Sequence, residues 1–159
     1  MPVIIIITSI AAPIQIVFDL SRSIDLHKLS TIQTNEEAIA GKTSGLIGEG
    51  ESVTWRSKHF GFYQILTSKI TFFDHPNKFT DEMVAGAFKS FIHHHYFEEK
   101  DGVTVMTDVF DYKSPLGLLG KIADALFLKQ YMKRLLEKRN QTIKEFAEDS
   151  AKHKKILTL

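Results

Sequence analysis

The stretch Phe88–Tyr112, FKSFIHHHYFEEKDGVTVMTDVFDY, decides the fold. Asp101-Gly102 is a two-residue turn signal, because these residues tolerate the positive φ angles of a tight hairpin loop. On that turn Lys100 faces Val103, and the pairing runs back through Phe97 with Met106, His95 with Asp108, His93 with Phe110 and Phe91 with Tyr112. Alternation with a period of two then places these last eight side chains on one face of the hairpin. The opposite face, from Glu98, Tyr96, His94 and Ile92 to Val105, Thr107, Val109 and Asp111, is mixed. The face holding Phe91, Phe97, Phe110, Tyr112 and Met106 is therefore the inward one.

That assignment buries polar groups. His93, His95 and Asp108 share the apolar inner face, and directly opposed residues have Cβ atoms about 4.5–5.5 Å apart, close enough for a His95–Asp108 hydrogen bond. An isolated buried carboxylate is costly, so Asp108 needs a partner, water or a ligand. Two readings stand open: the pair satisfies itself and braces the sheet, or it orients a guest in an apolar pocket. A metal site is not expected. His93, His95, Asp108 and His59 offer the right atoms, but no spacing of the HExxH kind supports one. The run His93-His94-His95 is no tag, since alternation sends His94 to the other face.

Working upstream, Ser52–Phe60, Phe62–Phe73, Phe79–Ala85 and Phe88–Glu99 read as successive strands, with Gly61 and Asp74–Asn77 as turns. With Val103–Tyr112 they form a run of strands joined by short turns, which requires antiparallel pairing. Residues 31–50 carry Gly41, Gly45, Gly48 and Gly50 and allow one strand near Glu36–Ala40. No GK[ST] follows these glycines, so they do not make a phosphate loop. Near the start, VIIIITSI (residues 3–10) reads as a buried strand. Pro13 opens a short helix to about Leu20 with Ile14, Val17 and Phe18 on one face, and Ser23 caps a second through Leu29.

Downstream, Ser114-Pro115 ends the sheet and a helical pattern runs from Leu116 to about Asp149. Leu119, Ile122, Leu126, Met132, Leu136, Ile143 and Phe146 trace its stripe. At about 1.5 Å per residue this helix approaches ~50 Å. The expected architecture is α+β: a curved antiparallel sheet of six or seven strands around a long C-terminal helix, with two short helices after the first strand. Residues 1–150 are expected to form a single domain and 151–159 a flexible tail.

Composition narrows the function classes. The 159 residues are 43% hydrophobic and 25% charged, as in globular chains. A net charge of +1 gives no general attraction to nucleic acid. The chain contains no cysteine, which removes disulfides and thiolate chemistry and fits a reducing, cytoplasmic setting. The apolar start lacks a basic leader and falls short of the ~20 residues that span a bilayer. Arg56 and Lys58 read as solvated, and Lys129, Lys133, Arg134, Lys138 and Arg139 as a helix's wet face.

Two stretches add a resemblance. AAPIQIVFDL (residues 11–20) resembles an Ala-Pro-x-x-x-Val-Phe opening. FTDEMVAGAFKSFIHHHYFEEKDGVTVMTDVFDYKSPLG (residues 79–117) resembles the Asp-x-x-x-x-Gly-x-Phe, His-x-His-x-Phe, Thr-x-Met-x-Asp and Tyr-x-x-Pro-x-Gly signatures of SRPBCC proteins, the START-like, polyketide-cyclase-like ligand binders. Gly86-Ala87 departs from the Gly-Pro often found there. The resemblance implies a helix-grip fold with a hydrophobic cavity between sheet and long helix, and places Asp81, His93, His95, Asp108 and Tyr112 on the recurring motif positions.

The leading expectation is binding or transport of a small hydrophobic or amphipathic ligand such as a lipid, with no cofactor. Trp55, Met83, Phe91, Phe97, Met106, Phe110, Leu119, Ile122 and Leu126 would form the walls. His93, His95, Asp108 and Tyr112 would orient a polar end. The alternative is a cyclase, dehydratase or isomerase in which Asp108 polarises His95 as general base and Tyr112 donates to an oxyanion. A third class is a protein-interaction module. Homo-oligomerisation is left open.

Overall fold

The computed structural model describes residues 2–158; Met1, the first residue of the expected domain, and Leu159, the last of the expected tail, lie outside them. Seven strands form one antiparallel sheet: β1 (Val3–Ile10), β2 (Glu37–Gly41), β3 (Ser52–His59), β4 (Phe62–Asp74), β5 (Lys78–Ala85), β6 (Ser90–Lys100) and β7 (Val103–Lys113). Their order across the sheet is β1-β7-β6-β5-β4-β3-β2. The β6–β7 register is the one the turn dictates, from Lys100 opposite Val103 to Phe91 opposite Tyr112. Asp101 (φ 53) and Gly102 (φ 78) both take the positive φ that a two-residue hairpin needs. Register shifts on β4 between Thr67 and Ser68 and between Ile70 and Phe72 supply the bulges that curl a sheet around a core.

Between β1 and β2 lie α1 (Ile14–Ser21) and α2 (Ile24–Ser30). Pro13 sets the extended entry to α1 (φ −60°, ψ 145°), and the Ser23 hydroxyl caps α2 by accepting the Leu26 N–H at 3.2 Å. Phe18 of α1 anchors the first apolar cluster, packing edge-on against Phe73, Phe79 and Phe97. A second cluster joins Ile4, Ile6, Phe91, Phe110 and Tyr112 to Leu136 of the long helix.

That long helix runs from Gly117 to Glu148 as α3 (Gly117–Ala123), a π-helical turn (Asp124–Leu128) and α4 (Lys129–Glu148). Among the described residues, no helix is long and apolar enough to cross a membrane.

Two expectations need correction. Strand β1 is buried on one face only: Ile4, Ile6 and Ile10 point inward, while Val3, Ile5 and Ile7 are exposed. It is an edge strand of the sheet, and its outward side chains stay open to solvent. The segment expected as a loose tail instead carries a further helix, α5 (Ser150–Leu157). Asp149 caps it by accepting the N–H groups of Ala151 and Lys152, and Ile156 and Leu157 pack against the first cluster.

Candidate functional site

A cavity of about 360 Å³ lies between the concave face of the sheet and α4, with α2 and the residues after it closing one side. Its size falls within the range of small-molecule sites, and its walls are largely apolar. Leu128, Met132, Leu135 and Leu136 enter from the helix, opposite Trp55, Leu66, Ile70, Phe91 and Phe110 from the strands. Phe60, on the β3–β4 turn, is 54% exposed and also lines the cavity, so it stands at the solvent edge. There it packs against Phe127 and Tyr131.

Two polar groups face this space. The first is built on β5, β6 and β7. Asp81 stands opposite His93, and Asp108 opposite His95. His95 Nε2 lies 3.0 Å from Asp81 Oδ1, and its Nδ1 lies 2.7 Å from Asp108 Oδ1 without the alignment of a good hydrogen bond. His93 Nε2 is 3.1 Å from Asp108 Oδ1, and its Nδ1 is 3.8 Å from Asp81 Oδ1. From α4, Asn140 donates to Asp108 Oδ2 at 2.6 Å. Arg139 approaches Asp108 Oδ1 at 3.5 Å while donating to the Ser21 carbonyl at 2.9 Å.

Burial pushes the Asp108 carboxyl up, but the two imidazoles and Arg139 outweigh it and hold the group well below the usual carboxylate range. Burial likewise raises Asp81, and His95, His93 and Arg139 together bring it below the ordinary value. Burial first, and then the neighbouring His95, push His93 down to about 4 against the pull of the two carboxylates, so His93 is neutral at pH 7.

The second polar group sits elsewhere on the cavity wall. His27 Nε2 lies 3.2 Å from Glu36 Oε1 and its ring packs on Trp55. His59 contacts Ser57 through Nε2 (2.9 Å) and the Tyr131 hydroxyl through Nδ1 (2.8 Å). Burial lowers the His59 pKa despite the Glu36 charge, and burial with Glu36 raises that of Tyr131.

Of the residues singled out from sequence, Trp55, Phe91, His93, His95 and Phe110 line the cavity. Asp108 sits one layer behind them, fully buried and touching both imidazoles. Phe97 and Met106 are on the inner face but belong to the packed core under α1, where the Ser21 hydroxyl meets the Met106 sulfur. Met83 packs beside the second cluster rather than on the cavity wall. Tyr112 is wholly buried with its hydroxyl donating to Asp124 Oδ1 at 2.9 Å, so it is no oxyanion donor toward the cavity. Burial and that carboxylate raise its pKa.

Leu119, Ile122 and Leu126 are 68%, 48% and 74% exposed and face away from the cavity. They form a separate apolar stripe. The six-residue step from Leu126 to Met132 cannot stay on one side of a 3.6-residue helix, and the π-helical turn lies across that step. The inward stripe begins at Leu128. Arg139, read as wet, is buried.

No family model matches the chain, and no curated protein does. Solved structures match it over nearly their full length. TTHA0849 from Thermus thermophilus superposes with a TM-score of 0.74 at 16% identity, covering 91% of this chain and 95% of that one. The ginseng major latex-like protein 151 from Panax ginseng gives 0.68 at 17% identity, covering 93% and 98%. A START superfamily protein from Mycobacterium smegmatis gives 0.69 at 10% identity, covering 92% and 97%. The chain thus has a helix-grip fold of the SRPBCC type.

Proposed function

We propose that this protein binds one small amphipathic molecule in its internal cavity, without transforming it. The carrying observation is the distribution of the walls: aromatic and aliphatic side chains over most of the surface, with most of the titratable groups in the Asp81–His93–His95 and Glu36–His27–His59–Tyr131 clusters. Such a site favours a guest with an apolar body and a hydrogen-bonding end. The solved relatives named as latex-like and START superfamily proteins support the fold in which this reading is framed. The cytoplasmic setting expected from the sequence is part of the same proposal.

The test is titration with an apolar fluorescent probe such as N-phenyl-1-naphthylamine. Saturable binding with one probe per chain is expected. Ser68 lines the cavity from the bulged part of β4, so Ser68→Trp fills the space and should weaken the probe at least tenfold. No saturable binding, or equal binding in Ser68→Trp, contradicts the proposal. Native mass spectrometry of freshly purified protein should show the natural guest as an added mass.

A further inference from the structure

Each imidazole of the β6 pair faces a carboxylate oxygen on both sides. Four nitrogen–oxygen approaches result: 3.1 and 2.7 Å toward Asp108, and 3.8 and 3.0 Å toward Asp81. An imidazole with a single N–H donates in only one of its two directions. Asp108, the fully buried carboxylate, already meets His93, Asn140 and Arg139. The His93 Nε2–Asp108 hydrogen bond leaves His93 Nδ1 facing Asp81 Oδ1 at 3.8 Å, beside His95 Nε2, which lies 3.0 Å from the same oxygen. Two imidazole nitrogens and a carboxylate oxygen thus converge on one spot, a donor set that a divalent cation takes.

We propose that Asp81, His93 and His95 form a binding site for a borderline divalent transition metal such as Zn²⁺, with Asp108 as the carboxylate that orients both imidazoles. Tetrahedral Zn²⁺ with bonds of about 2.0–2.2 Å sets its ligand atoms about 3.3 Å apart. The two measured separations to Asp81 Oδ1, 3.0 and 3.8 Å, bracket that spacing, and the three ligand atoms lie within 4.8 Å of one another. Shifts of up to about 1.5 Å, the difference between 4.8 Å and that spacing, close the site.

The surroundings match what metal-ligating histidines need. Their other ring nitrogens meet a carboxylate, which fixes tautomer and ring angle. That carboxylate is itself held by Asn140 and Arg139 from α4. All three ligands line the cavity, so three protein ligands leave a coordination position open toward it, as in reactive rather than structural zinc sites. The site goes beyond the binding of an apolar guest and does not depend on it.

The full-length protein, dialysed against chelator, is titrated calorimetrically with Zn²⁺ near pH 7.5, and Co²⁺ is added separately as a visible-absorbing substitute. One metal per chain is expected, with a Co²⁺ spectrum of four-coordinate type. Asp81→Asn and His93→Gln should each lower affinity by more than the about 10–100-fold that loss of a merely orienting partner produces. His94→Gln, on the outer face, should leave it unchanged. Long-range ¹H–¹⁵N spectra of the unsubstituted protein give a second readout that needs no variant. Zn²⁺ should shift His95 Nε2 and His93 Nδ1 while the other two nitrogens keep their protons. Absence of one-to-one binding, binding undiminished in folded Asp81→Asn, or ring nitrogens that Zn²⁺ does not move would each overturn the site. The fluorescent probe, run on metal-free wild type, reports on the apolar cavity separately, so the two readings fail independently.

Discussion

Arg139→Met should be among the most destabilising single changes in the long helix, although it swaps one long side chain for another. In the native chain the guanidinium lies 3.5 Å from Asp108 Oδ1, 3.1 Å from the Asn140 side-chain oxygen and 2.9 Å from the Ser21 carbonyl at the end of α1. At an effective dielectric near 20, a charge pair 3.5 Å apart interacts by roughly 5 kcal/mol before desolvation is subtracted. Methionine fills most of the volume but leaves the fully buried Asp108 carboxylate with imidazole and amide donors only. Removing one partner of a buried pair costs about 3–5 kcal/mol, a large share of the ~5–15 kcal/mol that holds a domain together. With a urea m-value near 2 kcal/mol/M, the midpoint should fall by roughly 1.5–2.5 M. The measurement is a urea titration by circular dichroism in chelator-treated buffer, on Arg139→Met, Asp108→Asn and the double variant. The double variant should be less destabilised than the sum of the singles by more than about 1 kcal/mol, because each removes the interaction the other would have lost. A loss below about 1 kcal/mol in Arg139→Met, or strictly additive effects, would refute the idea that this residue ties helix to sheet through Asp108.

Tyr112→Phe removes only the hydrogen bond to Asp124, so it should cost about 1–2 kcal/mol in denaturation and leave probe affinity within about twofold; a tenfold loss of probe binding would restore Tyr112 to the cavity. Glu36 supplies a pH-dependent term. Burial pushes its carboxyl up, but His27, His59 and Thr31 together outweigh burial and hold it below the ordinary glutamate range. A group whose folded pKa is depressed stabilises the fold above its unfolded pKa and loses that contribution as pH falls through the folded one. Glu36→Gln should therefore be less stable than wild type at pH 7, with the gap closing in the acid range; a constant gap in thermal midpoints from pH 7 to pH 3.5 would contradict this.

Much of the fold is written in local chemistry. The Asp101-Gly102 turn fixes the β6–β7 register, and one correct register sorts every side chain of two strands between inside and outside. Pro13 and Ser23 mark helix starts by the backbone groups they remove or satisfy. The candidate site is less legible because it depends on contacts that no turn specifies. The meeting of Asp81 with His95 requires the β5–β6 register, set by the irregular connection at residues 86–89 and not by a tight loop. A Cβ on Gly86 would lie 3.2 Å from the Leu66 Cα, a close backbone approach that sequence alone does not reveal. The burial of Arg139 is hidden by its position in a basic run, and only the phase of α4 against the sheet shows that it turns inward. Leu119, Ile122 and Leu126 mislead for the complementary reason: a regular period does not carry across a π-helical turn.

The inner face of the final hairpin reads, layer by layer, aromatic, mixed, polar, apolar: Phe91 with Tyr112, His93 with Phe110, His95 with Asp108, Phe97 with Met106. The two outermost layers belong to packed clusters on either side, with Phe91 also reaching the cavity wall. The cavity opens against the middle, where imidazoles and carboxylates sit. Stability alone does not favour that arrangement, since well-packed apolar residues in place of a buried charge cluster are often neutral or stabilising. The cluster also draws on three separate elements, with Ser21, Asp108 and Asn140 all meeting Arg139. Several polar groups are thus held at the wall of an apolar hollow, in a layer where leucine or valine would close the space. That placement makes the middle of the β6–β7 hairpin, rather than the exposed apolar stripe of α3, a stretch where the cavity wall turns polar.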